Sequence, residues 1–480
     1  MKHAFLISAA LLAVLGSCEP ADPSAQNVVL VTIDTLRADR LSAHGFERDA
    51  TPRLDAFAEE GVLFERAYSH APFTAPAHAS LFTSLVTRSH GVETWGRQLD
   101  PELPELFGLY RAAGYRTGAF FNHPGLVASK LLHSVDHAEL RTFEPAEDTV
   151  SGFLDWAGSS SRRFVAWVHL WEVHRPYGFR SWRAEHLRQQ VKRESLELVY
   201  AEGPWGGSHD PLVGRTEAFY NLNAERLARP KATSTGERVL DAADLSYLED
   251  RYDNAVRAAD AGFGALVDGL RSAGLLDSTL VVVTSDHGEA LTERSACLFT
   301  HDPFLTEETL RVPLIMRFPN ARFAGSRVGD LVRGVDVLPT LLEFSGLSAP
   351  AGLQGRSLLP LVRGESLPEA LLFAQTQTRH AKEVLEHSDE PQLEFRQALI
   401  SGYHKLIHDR STDTYTLYDL ERDPGETRNL ASDPDSARLF ERLLAELKAV
   451  RESYPLREAF GTSTPEDQAL LDSIGYTGDE

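Results

Sequence analysis

The chain is 480 residues long, enough for one large domain and a smaller one. Its composition, 42% hydrophobic and 25% charged, is that of a globular protein and excludes the fibrous and disordered classes. A formal charge of -22, from 70 acidic against 48 basic residues, argues against nucleic acid or an anionic membrane surface as the main partner, while leaving room for a small anion in a locally positive pocket.

At the N-terminus, Lys2 and His3 precede an apolar run over 4–15, too short to span a bilayer and shaped like a secretory signal. It ends in Leu15-Gly16-Ser17-Cys18, which is similar to a bacterial lipoprotein signal. The expectation is a signal over 1–18, with Cys18 lipidated as the mature N-terminus. The protein is then exported and anchored in the bacterial cell envelope, at the outer membrane or the periplasmic face, touching membrane only through its lipid. An ordinary signal peptide with a chance cysteine is the plainer alternative. Cys297 is the only other cysteine, so lipidation leaves no disulfide in the monomer. Residues 19–26, with Pro20, Asp22, Pro23 and Ser24, read as a short tether.

Five apolar runs, over 27–33, 115–121, 164–169, 280–284 and 312–317, predict buried parallel strands, because they do not alternate and helix-length segments separate them. A helix is expected over 51–60, with Thr51-Pro52 as cap and first turn, and another over 242–273, with Tyr252, Val256, Phe263, Leu266 and Leu270 at helical spacing. The expected fold class is α/β, a doubly wound mixed sheet flanked by helices over 27–370. The stretch 180–238, rich in charge, Gly and Trp, reads as an insertion near the pocket mouth. Over 371–480, short strands at 395–400, 404–408 and 414–419 and a helix at 435–454 predict a small α+β subdomain and tail.

Ligands of an open parallel sheet bind beyond the carboxyl ends of its strands. The strands here end at Asp34, at Asn122-His123, shortly before Glu172 and His174, and at Ser285-Asp286-His287-Gly288-Glu289. A lone Asp after a strand is usually a helix cap, but four such ends at one edge point to a metal site of Asp34, Asp286 and His287. In Phe73-Thr74-Ala75-Pro76-Ala77-His78, Pro76 suits the first turn of a helix continuing through Leu81 and Leu85. Thr74 then lies at its N-terminus, where backbone N–H groups favour an alkoxide. Thr74 reads either as a nucleophile or as an N-cap.

Taken in order, Val31-Thr32-Ile33-Asp34-Thr35-Leu36-Arg37-Ala38-Asp39, Thr51-Pro52-Arg53-Leu54-Asp55, Thr284-Ser285-Asp286-His287-Gly288-Glu289, Arg311-Val312-Pro313-Leu314-Ile315 and Gly355-Arg356-Ser357-Leu358 resemble the sulfatase family of the alkaline phosphatase superfamily. Leu417-Tyr418-Asp419-Leu420-Glu421-Arg422-Asp423-Pro424 extends the resemblance to about residue 451. The resemblance implies a metal-dependent hydrolase of sulfuric or phosphoric esters. It makes Asp34, Asp286, His287 and Thr74 ligands of one divalent ion, and Thr74 the nucleophile. It also makes His174 a substrate-facing histidine and His301 another active-site histidine, both catalytic, and places Asn122 where many sulfatases bind substrate with a lysine. Glu289 reads as a further participant or as a salt-bridged residue at the pocket edge.

The sequence departs from the family at three points. The nucleophile slot reads Thr74-Ala75-Pro76-Ala77-His78 instead of Cys-x-Pro-x-Arg, so formylglycine cannot form and His78 takes the substrate-binding arginine's place. The usual pair of aspartates is Asp34-Thr35, and an imidazole follows Asp286 where calcium-binding members often carry Asn. Fewer carboxylates and an imidazole favour zinc or manganese, with calcium as the alternative. The expected substrate is a small anionic ester or a sulfated or phosphorylated glycan or lipid. A phospho-group transferase and an inactive sulfatase-like binding protein are the competing readings. The sequence is silent on oligomeric state.

Overall fold

The computed structural model describes residues 27–467, except 124, 142–143, 175–176, 178–241, 295–298, 302–303, 377–395, 458–459, 463 and 466. The predicted signal with Cys18, the tether over 19–26, the insertion over 180–238 and Cys297 lie outside the described residues. No helix among the described residues is long and apolar enough to cross a membrane.

In chain order the strands are β1 (Asn27–Ile33), β2 (Val62–Tyr68), β3 (Arg97–Gln98), β4 (Arg116–Phe121), β5 (His137–Leu140), β6 (Phe164–Leu170) and β7 (Thr279–Thr284). They continue as β8 (Arg311–Arg317), β9 (Ser326–Arg333), β10 (Leu371–Thr376), β11 (Arg396–Ser401), β12 (His404–Asp409), β13 (Thr414–Asp419) and β14 (Gly461–Thr462). An eight-stranded sheet has the order β5-β4-β6-β1-β7-β8-β2-β9, and a four-stranded sheet the order β10-β11-β12-β13.

In the large sheet, β5, β4, β6, β1 and β7 run parallel. Their unbroken apolar runs follow from burial on both faces. Val28, Leu30, Val165 and Trp167 face a layer that includes Ala75, Ala79 and Phe82 of helix Thr74–Thr83. Val29, Val31, Ile33, Ala166 and Val168 face the opposite layer. There Leu54 and Phe57 come from helix Pro52–Glu59, Phe153 from Ala146–Gly158, and Tyr252 and Phe263 from Ala242–Ser272. Helices on both faces of a mixed sheet are the architecture the sequence predicted.

The fifth predicted parallel strand is a correction. β8 runs antiparallel to both of its neighbours, β7 and β2. An apolar run reports burial on two faces and carries no direction. Among the described residues, the segment between β7 and β8 contains the short helix Glu307–Leu310 and no longer one, and the antiparallel pairing means the chain re-enters the sheet from the end it left. Pro313, which cannot donate to a ladder, lies where the register against β2 shifts between Phe64 and Ala67, the irregular position that tolerates proline inside a sheet.

The predicted C-terminal strands are β11, β12 and β13, and β10 joins them as an edge the sequence reading missed. Leu372, Ala374, Ala398 and Ile400 pack on Tyr68, Leu310 and Leu331 at the edge of the large-sheet unit. Phe373, Leu399, Leu406 and Leu417 face Leu443 and Leu447 of helix Ala437–Ser453. Burying each of those leucines contributes about 2 kcal/mol. The sheet is thus sandwiched between its own helix and the region that carries the site.

Candidate active site

Register builds the site. β1 and β7 pair in parallel with Thr32 opposite Thr284, so Asp34 and Asp286, each two residues further on, emerge together at the carboxyl edge. β6 lies on the other side of β1 with His169 opposite Thr32, and the Asp34 N–H donates to the Leu170 carbonyl at 2.9 Å. Beyond β1 the chain turns sharply at Thr35, a β-branched residue at φ 52, where backbone strain is expected. The surroundings hold that turn. The Thr35 N–H donates to Asp286 Oδ1 at 3.2 Å, the Leu36 N–H donates to Ser285 Oγ at 3.0 Å, and the Tyr252 hydroxyl donates to the Thr35 carbonyl at 2.7 Å.

Helix Thr74–Thr83 delivers Thr74 as its first residue, with Phe73 as the N-cap position. Every residue of this helix is buried, which suits its apolar and small composition. It ends at Thr83 rather than running through Leu85, because Ser84 adopts φ 56 and donates its hydroxyl to the Val335 carbonyl at 2.6 Å. Thr74 Oγ1 lies 3.3 Å from His287 Nε2. His287 Nδ1 sits 2.9 Å from the Gly288 carbonyl, which can only accept, so the hydrogen-bond network assigns the ring hydrogen to Nδ1 and leaves Nε2 as a donor atom for a metal.

Asp34, Asp286 and His287 each offer one ligand atom within 4.8 Å of the others, and all three are fully buried. His287 Nε2 is 3.6 Å from Asp286 Oδ2 and 4.0 Å from Asp34 Oδ1. Both oxygens of Asp34 and Oδ2 of Asp286 are buried without a hydrogen-bond partner among the described residues. Orphaned carboxylate oxygens are costly in a dry interior unless a cation meets them. Burial, reinforced by the Asp286 charge, pushes the Asp34 carboxyl well above its ordinary range. Burial acts the same way on Asp286, but His287, His78 and His169 together hold it below the usual range. Burial opposes the charge on His287, yet Asp286 and Asp34 raise it above its ordinary value. Two carboxylates, one imidazole nitrogen and the Thr74 hydroxyl form a donor set that fits one divalent ion.

The other predicted residues surround this core. His301 lies beside His287, ring centroids 4.5 Å apart, with its Nδ1 3.5 Å from Glu289 Oε2. His174 follows at 5.6 Å from the His301 ring and packs on Trp171 at 5.1 Å. Asn122, at the end of β4, donates from Nδ2 to the Glu144 carbonyl at 3.2 Å. His78 is fully buried, with Nδ1 2.8 Å from the Thr74 carbonyl and Nε2 3.0 Å from Thr32 Oγ1. Both of its ring nitrogens are therefore engaged by the protein. Phe73 and Trp95 pack edge to face at 5.4 Å next to His301 and His123.

Sequence reasoning passed over Thr32, His169 and Ser285. Thr32 and His169 lie inside apolar strand runs, and only their common face with Asp34, two residues beyond Thr32, could have marked them. Ser285 donates to the His287 carbonyl at 2.6 Å and shapes the loop from inside the Ser285-Asp286-His287 motif.

A family model described as Sulfatase matches residues 26–347, and one described as N-sulphoglucosamine sulphohydrolase, C-terminal, matches residues 298–453. Two curated relatives come from Bacteroides thetaiotaomicron. An N-acetylglucosamine-6-O-sulfatase is 23% identical over 92% of this chain and 90% of its own. A Delta 4,5-hexuronate-2-O-sulfatase is 24% identical over 93% and 92%. Among solved structures, the phosphonate monoester hydrolase of Agrobacterium radiobacter superposes with a TM-score of 0.69 at 22% identity, covering 89% of this chain and 96% of its own.

Proposed function

The chain belongs to the sulfatase family of ester-bond hydrolases, and from that premise we propose that it cleaves phosphorus esters, phosphonates and phosphate diesters ahead of sulfate esters, with Thr74 as nucleophile. The observation that carries this reading is the position of Thr74 Oγ1, on the first residue of a buried helix and 3.3 Å from His287 Nε2, beside carboxylate oxygens that have no hydrogen-bond partner among the described residues. Asp34, Asp286, His287 and Thr74 would hold a divalent ion, whose positive charge would lower the hydroxyl pKa and offset the charge of the ester.

Thr74 Oγ1, its proton lost to solvent when the hydroxyl ionises, attacks phosphorus as the bond to the ester oxygen breaks. The helix N-terminus faces the charge that develops there. Asn122 Nδ2 carries a second hydrogen beyond the one given to Glu144, available to an oxygen of the ester. His174 or His301 passes a proton to the leaving oxygen. Water then attacks phosphorus in the covalent threonine ester, which releases the acid and restores the hydroxyl. Substrate order follows from this last step. A formylglycine hydrate has a second hydroxyl that expels sulfate, whereas Thr74 has one hydroxyl and depends on attack at the central atom. The substrate is a small anionic ester or one borne on a glycan or lipid, in keeping with the sugar-acting names of the curated relatives.

The test is a panel of p-nitrophenyl sulfate, phosphate, phosphonate and bis-p-nitrophenyl phosphate, assayed with zinc, manganese or calcium and after chelation. The expected order places diester and phosphonate first, with activity lost on chelation. Thr74→Ala should lower kcat by at least about a thousandfold, while Thr74→Ser keeps part of it. Near-native turnover by Thr74→Ala overturns the nucleophile, and a preference for the sulfate ester overturns the substrate order.

A further inference from the structure

Behind the acidic edge of the site lies a buried cluster of Thr32, His78, Trp167 and His169, and its hydrogens can be placed in one way only with every ring neutral. Thr32 Oγ1 has three neighbours: Trp167 Nε1 at 2.8 Å, His169 Nδ1 at 2.8 Å and His78 Nε2 at 3.0 Å. The indole can only donate. The Thr74 carbonyl, 2.8 Å from His78 Nδ1, can only accept, so His78 bears its hydrogen on Nδ1 and its Nε2 must accept. The Thr32 hydroxyl therefore donates to His78 and accepts from Trp167 and from His169 Nδ1–H. This assignment rests on the network as a whole, and it leaves a lone pair on His169 Nε2.

His169 Nε2 is buried and lies 3.2 Å from Asp34 Oδ2, and neither atom makes a hydrogen bond among the described residues. Two such atoms repel in a dry interior unless a cation joins them. Donors on adjacent positions of one metal ion, with bonds of ~2.0–2.2 Å, stand roughly 3 Å apart. We propose that His169 Nε2 is a further ligand of the divalent ion held by Asp34, Asp286 and His287, so that two imidazoles complete its coordination. His169 stands outside the triplet whose atoms share a 4.8 Å span and reaches it across Asp34, which turns Oδ1 toward His287 and Oδ2 toward His169. A second imidazole moves the ion preference further from calcium toward zinc or manganese.

The inference rests on the metal reading above, and one experiment separates the two. The full chain is stripped, titrated with Mn2+ alone, and examined by electron spin-echo envelope modulation, which counts imidazole nitrogens bound to the ion. Wild-type protein should bind one Mn2+ with two imidazoles. His169→Gln should retain one imidazole and bind Mn2+ at least about tenfold more weakly. Thr32→Val, which releases the tautomer without touching a ligand, should weaken Mn2+ binding several-fold. One bound Mn2+ with a single imidazole in wild-type protein overturns the role of His169 and leaves the metal reading standing. No bound Mn2+ overturns both. The wild-type count decides the matter even if a variant does not fold.

Discussion

Asp34 and Asp286 meet at one sheet edge, yet their carboxyls are driven in opposite directions by what faces them. Glu172 shows the same physics with a measurable consequence. Burial, with a smaller contribution from Glu147, pushes its carboxyl up to about 7, while backbone N–H groups including that of Ala146 accommodate its charge only in part. The folded-state pKa lies above the unfolded value, so the stabilising contribution of the neutral form is full below about pH 4.5. It is lost as pH rises through about 7. Glu172→Gln should match wild type in stability near pH 4.5 and exceed it by up to about 3 kcal/mol at pH 8, since each pKa unit corresponds to ~1.4 kcal/mol. Urea melts of the two proteins at those pH values check the sign, and an equal difference at both refutes it.

At the scale of elements, the loop that follows β7 is held by close backbone contact. A Cβ at Gly288 would meet the Glu308 carbonyl oxygen at 2.0 Å, and the Gly288 N–H donates to the Thr309 carbonyl at 2.9 Å. The same residue offers its carbonyl to His287 Nδ1. Gly288→Ala must separate this loop from helix Glu307–Leu310 and rotate the His287 ring with it. The expected cost is about 1–3 kcal/mol of stability, accompanied by weaker metal binding. Thermal melts with and without added Mn2+ measure both, and loss of stability with unchanged metal affinity would show that the ring is held by its ligand role alone. Thr35, strained at φ 52, belongs to the same pattern of backbone fixed around the site.

Across the molecule, the C-terminal sheet is joined to the site region by buried charge. Lys405 of β12 is fully buried, with Nζ 2.9 Å from Glu426 Oε1 and 3.4 Å from Glu307 Oε1. Glu426 also accepts from Arg294 Nη2 at 2.7 Å and from the Glu307 N–H at 3.0 Å. Arg294 lies between Glu289 and His301, so this network ties the small sheet to the segment that carries a catalytic candidate. Lys405→Met removes one of the two cations facing buried Glu426, leaving only Arg294, and should cost about 3 kcal/mol. Glu426→Gln added to it should recover part of that loss, which a double-mutant cycle by denaturant unfolding measures. Additive losses would mean that the two residues do not interact.

Much of this was legible in the sequence, because local signals carried it. Apolar runs with helix-length spacing marked the parallel strands, Asp34 and Asp286 stood at strand ends, and Pro76 signalled the start of the helix that bears Thr74. Adjacency of β1 and β7 was not legible, since pairing of strands some 250 residues apart leaves no local trace, and neither was the reversed direction of β8. Thr32 and His169 escaped for the same reason: within an apolar run, which face a polar residue takes and what it meets there depend on register alone. The sequence by itself determined which residue types stand at the strand ends and the helix start. Tertiary structure decided which of them share a buried space, because hydrogen bonds and ion pairing act over a few ångströms that only chain packing can create.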